Sequence, residues 1–277
     1  FGYVALNANT TGSQNCAFGY ASLDANTTGD ANVAVGNSAL SANTTADGNT
    51  AFGYYALNVN TTGNRNAALG YESLVASNGS ENTAIGYKSG HDLTTGSHNA
   101  FLGDSSAQSM TTGTGNTCIG RRSGESVSTG GNNTIVGYQA GGNGTFVTGS
   151  NSMLLGYLAY PSANDVSNEI TLGNSSISTL RCADTSISSL SDRRDKTDIV
   201  DLPIGLDFIN SLLPRQFKWQ TREGVPSKDG TVRAGFIAQE LQEAQKGSEY
   251  LDLVMEENPE KLEAKQGKLI PVLVKAI

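Results

Sequence analysis

Ser191 and Lys196 are the residues whose types and spacing point most directly to chemistry. They begin and end the segment Ser-Asp-Arg-Arg-Asp-Lys, five positions apart. A serine hydroxyl is a weak nucleophile until a base removes its proton, and a lysine amine serves as that base when burial or neighbouring cations lower its pKa. If residues 192–196 form one helical turn, the amine returns to the hydroxyl, with Arg193 and Arg194 as cationic neighbours. The same residues also suit a structural role, in which Ser191 caps a helix.

Other candidate residues have plainer interpretations. His91 and His98 are the two histidines of the chain, too few for a zinc site, and we expect neither metal nor cofactor. Cys16, Cys118 and Cys182 are odd in number and far apart, so no disulfide framework is implied. Cys16 and Cys118 are expected to be small strand fillers. Four asparagines begin Asn-Thr-Thr sequons, which we interpret as turns rather than glycosylation sites: Asn9, Asn26, Asn43 and Asn60.

Composition divides the 277 residues into two parts. Residues 1–190 carry 27 of the 33 glycines and 16 charged residues, whereas residues 191–277 carry 28 charged residues. The sequence contains no run of about 18 apolar residues, so it predicts no membrane-spanning helix. It also shows no basic and apolar leader of the kind that forms a signal peptide. The net charge of −8 argues against general nucleic-acid binding. We therefore expect neither membrane insertion nor a nucleic-acid partner.

The first part is a repeat. A small residue, a large apolar residue and a glycine recur eleven times, at steps of 17 residues apart from one step of 16 and one of 19. The glycines are Gly2, Gly19, Gly36, Gly53, Gly70, Gly86, Gly103, Gly120, Gly137, Gly156 and Gly173. Alternation before each glycine predicts a short strand, and the apolar residue four positions after it in the early copies predicts a second strand. Asn-Thr-Thr-Gly then predicts a turn.

A rung this thin must stack on its neighbours to bury a core, so the pattern predicts a β-roll solenoid about 50 Å long. Apolar residues such as Phe18, Phe52 and Leu57 need cover that one thin roll cannot give, which predicts a homotrimer. The expected fold is thus mostly β over residues 1–174. A β neck is expected over residues 175–190, and a small α/β (α+β) domain over residues 191–277.

The last part predicts a sequence of short elements. A helix is expected over residues 203–213, where Pro214 ends it, followed by a strand over residues 215–219. Trp219 is expected to pack with Phe217 or Phe236.

These motifs carry two resemblances. The repeats are similar to the head repeats of trimeric autotransporter adhesins and to the shafts of phage tail fibres. The segment Ser-Asp-Arg-Arg-x-Lys-x-Asp-Ile from Ser191, together with residues 234–240 and 269–277, resembles the intramolecular chaperone auto-processing domain, peptidase family S74. That domain ends many phage tail fibres and tailspikes. The resemblance implies a strand-to-helix segment over residues 234–240 and the start of a terminal helix at Leu269. In the family that helix continues as a trimeric coiled coil, whereas here the chain stops, and residue 1 begins in mid-repeat. We therefore expect this chain to be a fragment at both ends.

The S74 resemblance implies that Ser191 and Lys196 form a dyad. It cleaves the Leu190–Ser191 bond once, without activity on other substrates, and Asp192 or Asp195 orients Lys196. The chain is then a virion tail-fibre or tailspike protein, assembled in the host cytoplasm, that meets a host receptor through its shaft or through segments outside this sequence. The alternative is a trimeric bacterial surface adhesin head that binds a host surface. A glycan-cleaving tailspike would need paired carboxylates, and residues 1–190 hold 11 scattered Asp and Glu without a recurrent pair.

Overall fold

The chain forms two compact units, Phe1–Asn174 and Ser175–Ile277. The computed structural model describes residues 1–142, 144, 147–177, 179–181, 191–218, 230–256, 258 and 262–277. Leu190, Trp219 and most of the predicted neck lie outside these residues, so the predicted scissile bond and the predicted packing of Trp219 do too. None of the helices in the described ranges has the length and hydropathy that a membrane span requires.

The first unit is a β-solenoid, as the repeat predicts. Ten three-residue strands form one parallel sheet in chain order, with equivalent repeat positions in register, so that Ala17 pairs with Ala34. The strands are β1 Cys16–Phe18, β2 Val33–Val35, β3 Thr50–Phe52, β4 Ala67–Leu69, β5 Thr83–Ile85, β6 Ala100–Leu102, β7 Thr117–Ile119, β8 Thr134–Val136, β9 Met153–Leu155 and β10 Ile170–Leu172. The steps of 16 and 19 residues are absorbed between strands, because β4 with β5 and β8 with β9 keep the same register.

The predicted second strand of each repeat is wrong. After the repeat glycine the chain forms turns, in which alternate residues such as Ala21 and Leu23 have left-handed φ angles of 49° and 50°. Leucine rarely adopts positive φ by itself, so local propensity does not predict this path. The N–H of Leu23 nevertheless donates to the carbonyl of Ala39 in the next rung, at 3.1 Å. Stacking therefore stabilises a conformation that the isolated repeat disfavours.

The side chains that face inward are the small ones at the strand centres. Ala34 and Ala51 are fully buried, as are Leu40 and Leu57 in the turns that follow β2 and β3. The large residue that precedes each repeat glycine points outward, and Phe18 is 54% exposed. Leu57 is therefore not among the residues that need external cover, which corrects the sequence prediction.

The position that supplies the large core side chain changes along the solenoid, from the turn in the early rungs to the strand centre at β6. In the early rungs an alanine at the strand centre faces a leucine in the turn, as with Ala68 and Leu74, both buried. At β6 the strand centre is the buried Phe101, and the turn position of the preceding rung is Gly90. A Cβ on Gly90 would lie 2.8 Å from Cδ2 of Phe101 and 2.9 Å from Cδ2 of Leu74. The core stays filled because a large residue at the strand centre compensates for the glycine in the turn.

Two columns of asparagine side chains run along the interior. In the first, each Oδ1 accepts a hydrogen bond from the backbone N–H of the next member, and Nδ2 donates to a carbonyl. Asn66 Oδ1 accepts from Asn82 N–H at 2.9 Å, and Asn66 Nδ2 donates to the Gly79 carbonyl at 2.8 Å. The members are Asn15, Asn32, Asn49, Asn66, Asn82, Asn99, Asn116 and Asn133, and Ser152 N–H donates to the last Oδ1.

The second column consists of the sequon asparagines, whose interpretation as turn residues fits the structure. Asn26 Nδ2 donates to Asn9 Oδ1 at 2.7 Å, and Asn43 Nδ2 donates to Asn26 Oδ1 at 2.8 Å. Asn26, Asn43 and Asn60 are fully buried. A glycan on these three nitrogens would have no access in the folded solenoid.

Replacing Asn66 by Ala is expected to cost about 1–3 kcal/mol of unfolding free energy, because the Asn82 N–H and the Gly79 carbonyl lose buried partners. Guanidinium denaturation measures this cost. Asn7→Ala is the matched control, since Asn7 is exposed and its removal should change stability by less than about 0.5 kcal/mol. Equal effects of the two substitutions would contradict a stabilising role for the column.

The repeat glycines stack directly on one another. Gly53 has a φ of 151°, and a Cβ at this position would overlap the carbonyl oxygen of Gly70 in the next rung. Glycine is required both for the backbone conformation and for the close approach of consecutive rungs. This is the physical reason for the strongest signal in the sequence.

The two described cysteines differ in environment. Cys118 is fully buried at the centre of β7, as expected for a filler, and burial raises the pKa of its thiol to about 12. Cys16 is exposed on the outer side of β1. The prediction that Cys16 fills the interior is therefore wrong, because the first residue of each strand points away from the core.

The second unit contains short elements around a small apolar core. They are α1 Leu206–Ser211, β11 Arg215–Phe217, β12 Arg233–Gly235, α2 Ala238–Ala244, β13 Val254–Met255, β14 Glu263–Ala264 and α3 Ile270–Ala276. Strands β11 and β12 pair antiparallel, as do β13 and β14. The core comprises Leu212, Leu241, Leu251, Leu253, Val254, Leu269 and Val272. Phe208 and Phe236 pack against it, and α1 is shorter than the predicted helix.

Candidate active site

A tight turn shapes the segment that follows Ser191. Asp192 caps a 3-10 helical turn over Arg193–Asp195, and its side chain accepts a hydrogen bond from the Arg194 N–H at 2.8 Å. Lys196 N–H donates to the Arg193 carbonyl at 3.2 Å, which closes the turn. Asp is a favoured capping residue because its carboxylate satisfies a free N–H at the start of a turn. The local sequence thus reverses the chain between Ser191 and Lys196.

The turn brings the two predicted dyad side chains together. Lys196 Nζ lies 2.6 Å from Ser191 Oγ, at hydrogen-bond distance. A base must lie within this range of the proton that it removes. The five-residue spacing therefore positions the amine on the hydroxyl, as the sequence suggested it would if the intervening residues turned.

The neighbouring charges are arranged around Asp192. Arg194 contacts both carboxylate oxygens, with Nε at 3.1 Å from each and Nη2 at 2.6 Å from Oδ2. The Arg194 guanidinium holds the pKa of Asp192 below its usual value. Asp192 is thus engaged by Arg194, whereas Asp195 lies inside the turn. The orienting roles of Asp192 and Asp195 toward Lys196 stay predictions.

The site is open in the single chain. Every residue from Ser191 to Val200 is exposed. A lysine amine serves as a base in an environment that disfavours its charged form, through burial or nearby cations. Such cover has to come from groups outside this segment.

Both histidines contact carboxylates at the surface of the solenoid. His91 Nδ1 lies 2.6 Å from Asp92 Oδ1 and its Nε2 lies 3.4 Å from Glu72 Oε2, while His98 Nδ1 lies 2.8 Å from Glu81 Oε2. Within the part of the chain that the structure describes, no three His, Cys, Asp or Glu side chains are grouped to hold a metal ion.

Sequence reasoning missed an exposed aromatic column on the solenoid. Tyrosine follows the repeat glycine in seven rungs, and the Gly-Tyr pairs that encode it are visible in the sequence. Tyr54, Tyr71 and Tyr87 stack on one another, with ring centres 5.1 Å and 5.3 Å apart. These Gly-Tyr pairs are the signal from which the column can be predicted.

One family model matches part of the second unit. Residues 191–250 match the family Peptidase_S74, described as the chaperone of endosialidase, which is a family of self-cleaving peptidases. Comparison with curated proteins and with solved structures gave no match. The matched segment begins at Ser191 and includes Lys196, α1, β11, β12 and α2. A β-solenoid followed by a segment that matches the Peptidase_S74 family model fits a tail fibre with a C-terminal chaperone domain.

Proposed function

We propose that the chain is a tail-fibre or tailspike protein of a virion whose C-terminal domain trimerises, guides the folding of the solenoid shaft and then cuts itself off. The S74 match suggests a protein of this type with an intramolecular chaperone. The observation that carries the cleavage is the 2.6 Å distance between Lys196 Nζ and Ser191 Oγ. The domain acts once, on its own chain, at Leu190–Ser191.

The proposed reaction is an N→O acyl shift followed by hydrolysis. The neutral Lys196 amine takes the proton of Ser191 Oγ, and Oγ attacks the carbonyl carbon of Leu190. The bond from that carbon to the Ser191 nitrogen breaks, and Lys196 returns the proton to the leaving amine. Water then hydrolyses the ester, which leaves a carboxylate on Leu190 and a free amino terminus on Ser191.

A chaperone is needed because the three chains of the proposed shaft are difficult to bring into the correct register. Its rungs resemble one another, so three chains have many slipped alignments of similar energy, and parallel pairing of distant residues is slow. A compact domain that trimerises first fixes the ends of the three chains at one level. Cleavage then removes the domain, so that unfolding of the shaft is no longer readily reversed.

The proposed cleavage is tested by following newly synthesised full-length protein on a denaturing gel over time. We expect the chain to split into a shaft of residues 1–190 and a smaller product, and N-terminal sequencing of the smaller product should begin at Ser191. A new terminus elsewhere would remove the proposed mechanism.

The full-length protein is expected to be a trimer in light scattering. Phe18 and Phe52 are 54% and 53% exposed along one line of the solenoid, and a monomer seldom leaves such a line uncovered. A stable monomer across the micromolar range would contradict the proposal.

A further inference from the structure

Two columns of exposed or half-buried side chains flank the repeat glycines, and we call them together the flanking face. One column precedes the glycines and is apolar: Phe18, Val35, Phe52, Leu69, Ile85, Leu102, Ile119, Val136, Leu155 and Leu172. The other follows them: Tyr3, Tyr20, Asn37, Tyr54, Tyr71, Tyr87, Asp104, Arg121, Tyr138 and Tyr157. Exposed fractions of 39% for Ile85, 54% for Tyr20 and 58% for Tyr157 are representative.

The flanking face is too long and too apolar for an ordinary free surface. Ten strands at about 4.8 Å per rung make it roughly 40 Å long, with two columns side by side. Monomeric proteins rarely expose a contiguous apolar patch of more than a few hundred Å², and such patches mark sites of association. The face therefore calls for a partner that extends along the whole shaft.

The arrangement of the rings indicates what kind of partner fits. Tyr54, Tyr71 and Tyr87 stack at 5.1 Å and 5.3 Å, so the sides of the rings that face each other are covered. Covered ring faces cannot stack on a sugar or a base. A partner that contacts every rung must repeat at the rung spacing, and a second copy of this chain has that period.

The tyrosine column is interrupted by one pair of opposite charges. Asp104 and Arg121 occupy consecutive rungs in the position that Tyr87 and Tyr138 occupy on either side. Arg121 Nε donates to Asp104 Oδ2 at 2.9 Å, and Arg121 Nη1 donates to the Tyr138 hydroxyl at 3.1 Å. The guanidinium also lies 5.6 Å from the centre of the Tyr138 ring. One layer of negative charge and one of positive charge thus cross an otherwise uncharged face.

We propose that the flanking face is the contact between parallel copies of the shaft, and that Asp104 and Arg121 set their register. This rests on the proposed trimer and adds the face and the residues that align it. In register, the acidic layers of the copies meet at one level and the basic layers at the next, so that each charged layer lies directly beside the layer of opposite sign. A slip by one rung pairs Asp104 of one copy with Arg121 of the other but leaves the two remaining charges against tyrosine, and longer slips leave every charge against an uncharged residue. Polar groups buried at an interface are best known for this role of fixing register.

The test uses charge reversal in the full-length protein and measures the mass of the released shaft. Asp104→Arg alone gives each copy two positive layers, and Arg121→Asp alone gives two negative layers. We expect each to lower the fraction of trimeric shaft by about tenfold or more, because like charges are buried without partners. Co-expression of the two variants with different tags should restore trimers that carry both tags, since each layer then holds both signs. The double swap in one chain should also stay trimeric.

Glu81→Arg is the matched control. Arg65 and Glu81 form another ion pair between consecutive rungs, and they lie outside the flanking face. Loss of the trimer in this control, unaffected trimers in the single reversals, or failure of the mixed pair to assemble would each overturn the inference.

The same samples separate this inference from the proposed function. Normal cleavage with trimers that ignore the reversals overturns the register role alone. A wild-type protein that does not cleave overturns the proposed reaction, and the reversals are then compared on uncut chains by the guanidinium midpoint of the shaft. A monomeric wild-type protein overturns both proposals.

Discussion

Ser191→Ala protein is expected to remain one uncut polypeptide, while the wild-type protein separates into shaft and chaperone domain. The substitution removes the oxygen that would attack Leu190, and the methyl group that replaces it leaves the turn over Arg193–Asp195 in place. The shaft should still fold and trimerise, because the proposed chaperone role of the domain does not require the proposed cleavage. The measurement is a timed denaturing gel combined with light scattering.

Lys196→Ala and Lys196→Arg are expected to block the cut as well. Alanine removes the base, and the arginine guanidinium stays protonated and cannot accept the serine proton. Lys196→Arg is the more informative variant. Because it keeps a positively charged side chain, it tests the loss of the proton acceptor separately from the loss of the charge.

Two exposed residues of the same domain supply controls. Ser211 Oγ donates to the Phe208 carbonyl at 2.7 Å, and Lys246 pairs with Glu243 on α2. Ser211→Ala and Lys246→Arg should cleave normally. Unimpaired cleavage in Ser191→Ala would contradict the proposed mechanism. An equal loss of cleavage in the control variants would also contradict it, and neither result would affect the assignment of the fold.

Phe101→Ala is expected to cost about 3–5 kcal/mol of unfolding free energy, because a fully buried ring leaves a cavity between rungs. Gly90→Leu alone should also destabilise the shaft, by about 1–3 kcal/mol, since its side chain meets the Phe101 ring. Together the two substitutions restore the alanine and leucine of the early rungs. The double variant should therefore be more stable than Phe101→Ala alone.

The backbone permits this exchange. Gly90 has a φ of 62°, and Leu57 and Leu74 adopt 49° at the same position of their own rungs. Gly141→Leu is the control partner for Phe101→Ala, because Gly141 has a φ of 60° at the equivalent position and would contact Leu154 and Ile135. Guanidinium midpoints of the single and double variants measure the coupling. Rescue by Gly141→Leu as strong as that by Gly90→Leu would show that the compensation is not local.

How far the sequence predicts this structure differs between its parts. The repeat glycines predict the solenoid, because only glycine lets consecutive rungs approach each other and this requirement recurs in every repeat. The direction of the side chains was predicted less well. Phe18 and Leu57 are both large and apolar, yet Phe18 lies outside and Leu57 inside, because the strand offers its interior to the small central residue. Size and polarity alone do not distinguish these two positions.

For the dyad, the sequence predicts the local geometry but not the exposure of the site. Spacing alone suggested that Lys196 would reach Ser191 if the chain turned, and the Asp192 cap produces that turn. The sequence did not reveal that the whole segment is exposed in the single chain. Burial depends on residues distant in the chain or on other copies, and a local motif carries no information about them.

The direction of the hydrogen-bond ladders has a mechanical consequence for a fibre. The strands run across the solenoid and their hydrogen bonds run along it, so tension along the shaft loads the rungs in series and detaches them one after another. Each detached rung of 17 residues would extend from about 4.8 Å to nearly 60 Å. A shaft of this kind yields under load in steps of about 50 Å, and each step dissipates work before the next rung is pulled.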